Sequence, residues 1–220
     1  MRIAVLGSGM VGQAIASRLV ELDHEVRMGS RTAGGPAADW AREAGATASA
    51  GDFADAAAFG ELIVNATAGA VSLAALRQAG EANLAGKTLL DIANPIDGSP
   101  GDGPVTLAVA NTDSLAEQIQ RAFPSTQVVK ALNTMNCAVM VHPEIVGGDH
   151  VVFVSGDHDR AKRAVAGILE SFGWPAQRII DLGPLTSARG SEALLLLWLP
   201  VWRTVGGGHF NFAINREALG

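Results

Sequence analysis

The chain has no tyrosine, a single cysteine at Cys137, and lysine only at Lys87, Lys130 and Lys162. Without tyrosine, the Tyr-Lys proton relay of short-chain dehydrogenases is excluded. One cysteine excludes an internal disulfide framework and a Cys-rich structural zinc site, and it suits a reducing cytoplasm. Lys87 and Lys130 open strands and Lys162 lies on the polar face of a helix. None reads as the helical catalytic lysine of hydroxyacid dehydrogenases. His24, His142, His150, His158 and His209 are scattered without metal-ligand spacing; His209, in HFNF, is the least ordinary. No metal site and no catalytic acid or base is expected. Charged residues make up only 17% of the 220 and sum to −6, which argues against a nucleic-acid partner. The longest apolar stretch, Ala193 to Trp202, is about half of the roughly 20 residues that span a bilayer, and Pro200 interrupts it. No membrane partner is expected. The N-terminus lacks the order of a signal peptide.

What is present is core material: 48% of the residues are hydrophobic, which argues against disorder. Strand-like and helix-like segments alternate, the pattern of a mostly parallel sheet covered by helices. Strands are expected at Arg2 to Leu6, Glu25 to Met28, near Ala46 to Ala48, at Leu62 to Asn65, Lys87 to Ile92 and Gln127 to Leu132. A first helix carries Val11, Ile15, Leu19 and Leu22 on one face; others cover Phe53 to Phe59 and Ser114 to Phe123. A loop rich in Gly, Pro and Asp spans Asp97 to Pro104. Further on come a strand at His150 to Val154 and a helix with Ala161, Ala164, Val165, Ile168, Leu169 and Phe172 on one stripe. A strand at Arg178 to Asp181 and a long last helix from about Thr186 complete the chain. The fold class is therefore α/β: a Rossmann-type, doubly wound, mostly parallel sheet with a small C-terminal α/β segment. A soft boundary near residue 134 divides a dinucleotide-binding domain, 1–134, from a small C-terminal domain, 135–220, that shapes the acceptor cleft and dimerises.

Gly7, Gly9 and Gly12 form G-x-G-x-x-G between the first strand and the first helix. Gly7 permits the turn, Gly9 lets backbone approach a pyrophosphate, and Gly12 lets helix and strand pack closely. The helix N-terminus offers free N–H groups to the phosphates. At the end of the second strand, where NAD proteins usually carry an acidic residue for the ribose 2′-hydroxyl, stand Gly29, Ser30, Arg31 and Thr32. Arg31 can pair with a 2′-phosphate, and Ser30 and Thr32 can donate hydrogen bonds to it. NADP(H) is the expected cofactor. In a doubly wound sheet the ligand lies beyond the C-terminal strand ends, which here present Ala66, Thr67 and Ala68, then Asn94 and Pro95, then Asn133, Thr134, Met135 and Asn136. The last four are the candidate floor for a second substrate. A hydride cofactor without an evident acid or base fits a reaction between two cofactors, in which a flavin or deazaflavin ring balances its own charge.

Several segments together are similar to one family. MRIAVLGSGMVGQAIASRL, HEVRMGSR, KALNTMNC, VVFVSGD and LGPLTSARGSEALLLLW resemble, in order and over nearly the whole chain, the NADPH-dependent reductases of the deazaflavin coenzyme F-420. The resemblance implies a Rossmann domain for NADP, a small C-terminal domain completing a deazaflavin cleft, and direct hydride transfer between two ring carbons. It implies that Ser8, Gly9, Met10 and Val11 hold the pyrophosphate and that Ser30 and Arg31 hold the 2′-phosphate. Thr67, Ala68, Asn94 and Pro95 would line the nicotinamide side, and Asn133 to Asn136 the deazaflavin side. The chain departs from archaeal members in three places. Pro36 stands in the region where they carry a lysine, Asn133-Thr134-Met135-Asn136 replaces a His-Thr-hydrophobic-Pro stretch, and the GGGHFNF end differs. The other readings of the same scaffold are an NADPH-dependent reductase of a flavin, ferric ion or small carbonyl compound, and a non-catalytic NADP-binding sensor. The run Ala193 to Leu199 is apolar on every side of its helix, so burial all round, with a second subunit supplying one side, predicts a homodimer.

Overall fold

A computed structural model describes residues 1–98 and 105–215. Apolar segments rich in valine, isoleucine and leucine form strands β1 (Arg2–Leu6), β4 (Leu62–Asn65) and β5 (Thr88–Asp91), and the more polar EVRMGS and ASAGD form β2 (Glu25–Ser30) and the edge strand β3 (Ala48–Asp52). A two-stranded hairpin, β6 (Ile96–Asp97) and β7 (Thr106–Leu107), stands apart from them. Strands β8 (Gln127–Ala131), β9 (Val152–Gly156) and β10 (Ile179–Asp181) follow. The main sheet has the order β10-β9-β8-β5-β4-β1-β2-β3, parallel at every pair except β8 with β9. The chain runs outward from β1 to β3, returns to β4, then runs the other way. The switch point lies between β1 and β4, and a doubly wound sheet holds its ligand in the crevice above such a point. Strands from both sides of residue 134 belong to this one sheet.

Helices cover both faces, so the central strands are buried on both sides and read as continuous apolar runs. One core packs Ile15 and Leu19 of α1 (Met10–Glu21), Trp40 of α2 (Pro36–Ala44) and Val165 and Phe172 of a later helix against Ile3, Val5, Val64 and Val129. The other packs Phe53 of α3 (Phe53–Phe59), Leu76 of α4 (Gly69–Ala79) and Leu84 of α5 (Glu81–Leu84) against Leu6, Ile63 and Leu89. Helix α6 (Leu115–Ala122) adds Ile119 to that second core. Ser114 caps α6: its Oγ accepts from the Glu117 backbone N–H and donates to the Glu117 carboxylate. Then come α7 (Cys137–Val141), α8 (Asp159–Phe172), α9 (Ala188–Ala193) and α10 (Leu195–Val205). On α8 the expected stripe is buried except at Ala164, and Gly173 closes the helix in a left-handed conformation.

Several elements differ from the expectations. The third strand is Ala48–Asp52, two residues later than read, because Gly51 and Asp52 pair with Gly29 and Ser30. The strand after His150 starts at Val152, since His150 and Val151 are instead paired to Ala213 and Phe212 of the C-terminal segment. The last helix breaks at Leu194 into α9 and α10 after a 3-10 turn at Leu185–Ser187. Within the single chain Leu195 is buried, but Leu196, Leu197, Trp202 and Val205 remain exposed. The chain itself therefore does not supply burial all round. No helix among the described residues is long and apolar enough to cross a membrane. Most of the expected Asp97 to Pro104 loop lies outside the described residues; its start, at Asp97, belongs to the hairpin.

One feature inside the sheet is ionic. Lys130 and Asp91 face each other in register on β8 and β5, and both side chains are wholly buried. Lys130 Nζ lies 2.8 Å from Asp91 Oδ2 and 2.9 Å from Glu192 Oε1 of α9, and it also donates to the Ala93 carbonyl. Burial alone would lower the lysine, yet the two carboxylates hold it above its ordinary value. Burial pushes the Glu192 carboxyl up, against the downward pull of Lys130. Removing one member of such a group strands the others in a medium that solvates them poorly. Lys130→Met is expected to cost about 3–5 kcal/mol at neutral pH, read by urea denaturation. Glu192 would then rise further. A raised folded-state value gives stability that is present at low pH and lost as pH climbs through that value, so the deficit should shrink on acidification. A deficit that grows on acidification, or none, would contradict this assignment.

Candidate active site

The glycine turn sits where β1 meets α1 at the switch point. Gly7 has φ of +119°, and a Cβ there would lie 2.5 Å from the Ala66 carbonyl oxygen at the end of β4. Only glycine suits both the angle and the approach. A Cβ on the buried Gly12 would lie 1.9 Å from the Gly7 oxygen, so the helix packs directly on the turn. Gly9, the N-cap of α1, has nothing within 4 Å of its Cβ position. No side chain among the described residues caps this helix, so its first N–H groups are left to a ligand, the arrangement that receives phosphates.

Above this turn a cavity of about 480 Å³ is lined by Gly7, Ser8, Gly9, Ser30, Arg31 and Thr67 among others. Arg31 is exposed and has no hydrogen-bond or ion-pair partner among the described residues. The register partner of Ser30 is Asp52, whose carboxylate caps α3 by accepting from the Asp55 N–H. The nearby acid is thus engaged, and the cation stands free at the cavity wall. Thr32, exposed, does not line this cavity; its carbonyl accepts from the Ser30 hydroxyl.

A second cavity, about 500 Å³, adjoins the first and shares Ala66, Thr67 and Ala68 with it. Met10 and Val11 close one side, Asn94, Met135 and Asn136 the floor, and Leu195, Trp198 and Leu199 of α10 the far wall. Cys137 is the only ionisable side chain on its lining among the described residues. Pro95 is buried and Asn133 and Thr134 are 3% and 2% exposed; none of the three lines either cavity. The Asn133 amide donates to Asn94 Oδ1 and to the Ser191 carbonyl, while the Asn94 amide donates back to the Asn133 carbonyl. This exchange ties two strand ends and α9 together behind the floor. Asn136 Oδ1 accepts from the Ala138 N–H and caps α7. Leu132, immediately before, has φ of +63°. This conformation is strained for a leucine and persists only where the surroundings impose it. It turns the chain off β8 so that Met135 reaches the cavity.

Behind the shared wall runs a buried polar chain. Thr67 Oγ1 donates to Asn65 Oδ1 at 2.7 Å, and the Asn65 amide donates to Asp91 Oδ1 at 2.8 Å. Asp91 then meets Lys130. The carboxylate of Glu192 accepts from the Leu115 and Ala116 N–H groups at the start of α6. Sequence reasoning placed Lys130 at a strand opening and passed over Asp91 and Glu192. A signal existed: lysine and aspartate each interrupt an otherwise apolar strand, in QVVKAL and LLDIA, and buried charges require partners. Gly69 was also missed; a Cβ there would lie 2.0 Å from the Asn94 carbonyl oxygen, so α4 starts hard against the β5 end.

Comparison with known proteins bears on this geometry. Residues 2–95 match the family model described as NADP oxidoreductase coenzyme F420-dependent. The crystal structure of an Arthrobacter sp. FB24 protein, provisionally named an F420-dependent NADP-reductase, is 52% identical. It covers 98% of this chain and 100% of its own, with a TM-score of 0.91. The chain belongs to the F420-dependent NADP oxidoreductase family. It is accordingly an NADP-dependent oxidoreductase, and the free Arg31 beside an engaged Asp52 fits an NADP(H) site. The rat metalloreductase STEAP3 is 29% identical over 203 residues, 92% of this chain; the chain spans 38% of that protein's length. A reductive aminase from Aspergillus terreus, solved with NADPH and ethyl-5-oxohexanoate, shares the fold at 22% identity. It covers 93% of this chain and 62% of its own, with a TM-score of 0.63.

In this oxidoreductase Arg31 can supply a charge-assisted contact worth about 1.5–3 kcal/mol. Arg31→Ala is expected to weaken NADP(H) binding roughly 10- to 100-fold and to leave NAD(H) binding unchanged. Calorimetric titration of both cofactors checks this. Equal losses for both would place Arg31 in the fold of the turn and not in phosphate recognition.

Proposed function

We propose that the protein transfers hydride between NADP(H) and a deazaflavin coenzyme of the F-420 type. The observation that carries this reading is the pairing of a phosphate-ready glycine turn with an adjoining, mostly apolar cavity whose wall, among the described residues, has no acid or base apart from one thiol. When bound, NADPH would supply a hydride from C4 of its nicotinamide and become NADP+, and the deazaflavin ring would take the hydride at carbon, its own ring holding the added negative charge until the reduced coenzyme meets solvent and takes up a proton. The chain then has to bind, orient and exclude water. The free N–H groups of α1 and Arg31 would anchor the phosphates in the first cavity. Thr67 and Ala68, at the shared wall, would direct the nicotinamide into the second. Met135, with its adaptable thioether, and the α10 residues Leu195 and Trp198 would form the apolar surface for the second ring. Two rings held in one cleft within roughly 3–3.5 Å gain most of their rate from position. A carbonyl acceptor has no ring over which to spread the charge that the hydride brings and would need a proton at the site, and Cys137 is the only ionisable side chain that the described lining offers.

Reduction of a metal ion is the second reading, supported by the likeness to STEAP3, a metalloreductase; a flavin, whose ring is similar to a deazaflavin, would take the hydride and pass its two electrons singly to two ferric ions. The test is NADPH oxidation, followed by absorbance, with F-420, FMN, ferric citrate and a panel of small ketones. Turnover is expected with F-420, with a kcat/KM at least tenfold above that of FMN. Preference for FMN would move the assignment to a flavin reductase. Turnover only with ketones would overturn both readings.

A further inference from the structure

The buried cluster behind the cavity wall carries an unbalanced charge. Every hydrogen-bond partner of the Asp91 carboxylate among the described residues is a donor: the Asn65 amide and the Ala93 N–H on Oδ1, and Lys130 Nζ on Oδ2. The same holds for Glu192, which faces Lys130 Nζ and the Leu115 and Ala116 N–H groups. Neither acid has a hydrogen-bond acceptor among the described residues to which it could give a proton, so the geometry holds both as carboxylates against the upward push that burial and the nearby Asp91 charge put on Glu192. With one lysine between them, the cluster has a formal charge of −1.

The surroundings do not cancel it. Glu117, one turn along α6, is matched by Arg189, and Asp113 by Arg121, so both neighbouring pairs are neutral. Among the described residues, the backbone N–H groups at the start of α6 are what offsets the charge, and they amount to a partial one. A net charge in a wholly buried setting is costly, and such clusters gather where function uses them. This one sits one residue behind the second cavity. Lys130 and Asp91 both hold the backbone of Ala93, which lines it, and the Asn65 bridge holds Thr67, which lines both cavities.

We propose that the Asp91–Lys130–Glu192 cluster is an internal counter-charge for the oxidised nicotinamide ring, so that the protein binds NADP+ more tightly relative to NADPH than it otherwise would. The inference rests on the reading that the nicotinamide enters the second cavity; it is independent of which acceptor is used. The oxidised ring differs from the reduced one by a single positive charge. A fixed negative charge behind a low-dielectric wall acts on that difference and on no other part of the cofactor. It would lower the barrier for hydride leaving NADPH, because positive charge grows on the ring as the hydride departs.

The test is the ratio of the dissociation constants of NADP+ and NADPH, measured by calorimetry on wild type, Glu192→Gln and Asp91→Asn. Each substitution is isosteric and removes the net charge. In each variant the ratio is expected to move roughly three- to tenfold toward NADPH, chiefly through weaker NADP+ binding. Thermal melts identify a variant that does not fold, and the other variant then carries the test. Equal weakening of both cofactors, or an unchanged ratio in a folded variant, would overturn the counter-charge and leave the cluster a structural tie, with the proposed reaction intact. Failure of the wild type to bind either cofactor would overturn the counter-charge and the NADP site together.

Discussion

A single buried ammonium group holds the working end of this molecule in place. Lys130 Nζ connects β8, on which it sits, to β5 through Asp91 and the Ala93 carbonyl, and to α9 through Glu192. From Asp91 the chain of hydrogen bonds continues to Asn65 on β4 and to Thr67 beyond it. From Glu192 it continues to the start of α6. Three strand ends and two helices are thereby set relative to one another at the edge where a doubly wound sheet places its ligand. Hydrophobic burial builds the two cores on either side of the sheet, but it is non-directional. The polar chain adds direction, and it fixes where Thr67, Ala93 and Asn94 stand.

That fixed edge explains why two cavities meet with a common wall. The Gly7 turn lies against the Ala66 carbonyl, and Gly69 lies against the Asn94 carbonyl, so backbone approaches backbone where side chains would otherwise fill the crevice. One cavity presents unpaired N–H groups and a free arginine. The other presents methionines, leucines and an indole. A molecule with a charged phosphate half and a planar reactive half matches both at once, with the reactive half brought to the apolar side. The strained Leu132 backbone turns the β8 end into that side, and α10 closes it from the C-terminal segment.

Much of this was legible in the residues. The G-x-G-x-x-G pattern between a strand and an amphipathic helix carries its own mechanism, and the absence of an acid after β2 pointed to NADP. The strand ends at Thr67, Asn94 and Met135 followed from the parallel topology. The amide of Asn133 did not: a side chain at a strand end can face the cleft or the neighbouring loop with the same sequence, and here it is taken by Asn94 and Ser191. Pairings across long separations, such as Lys130 with Glu192, depend on register and helix placement, which local patterns do not encode. The break at Leu194 was hidden for a similar reason, since every residue from Ala188 to Leu199 favours or tolerates a helix and only the packing of α9 against the strand ends divides it.

Two rings that share one cleft pass a hydride without exchange with solvent, so the most direct measurement follows the hydrogen itself. F-420 reduced by this protein with NADPH deuterated at C4, on the face from which hydride is lost, can be analysed by mass spectrometry in ordinary water. Direct transfer predicts that the deuterium appears on the deazaflavin ring carbon in stoichiometric amount. Reduced F-420 carrying only solvent hydrogen at that carbon would contradict the shared cleft.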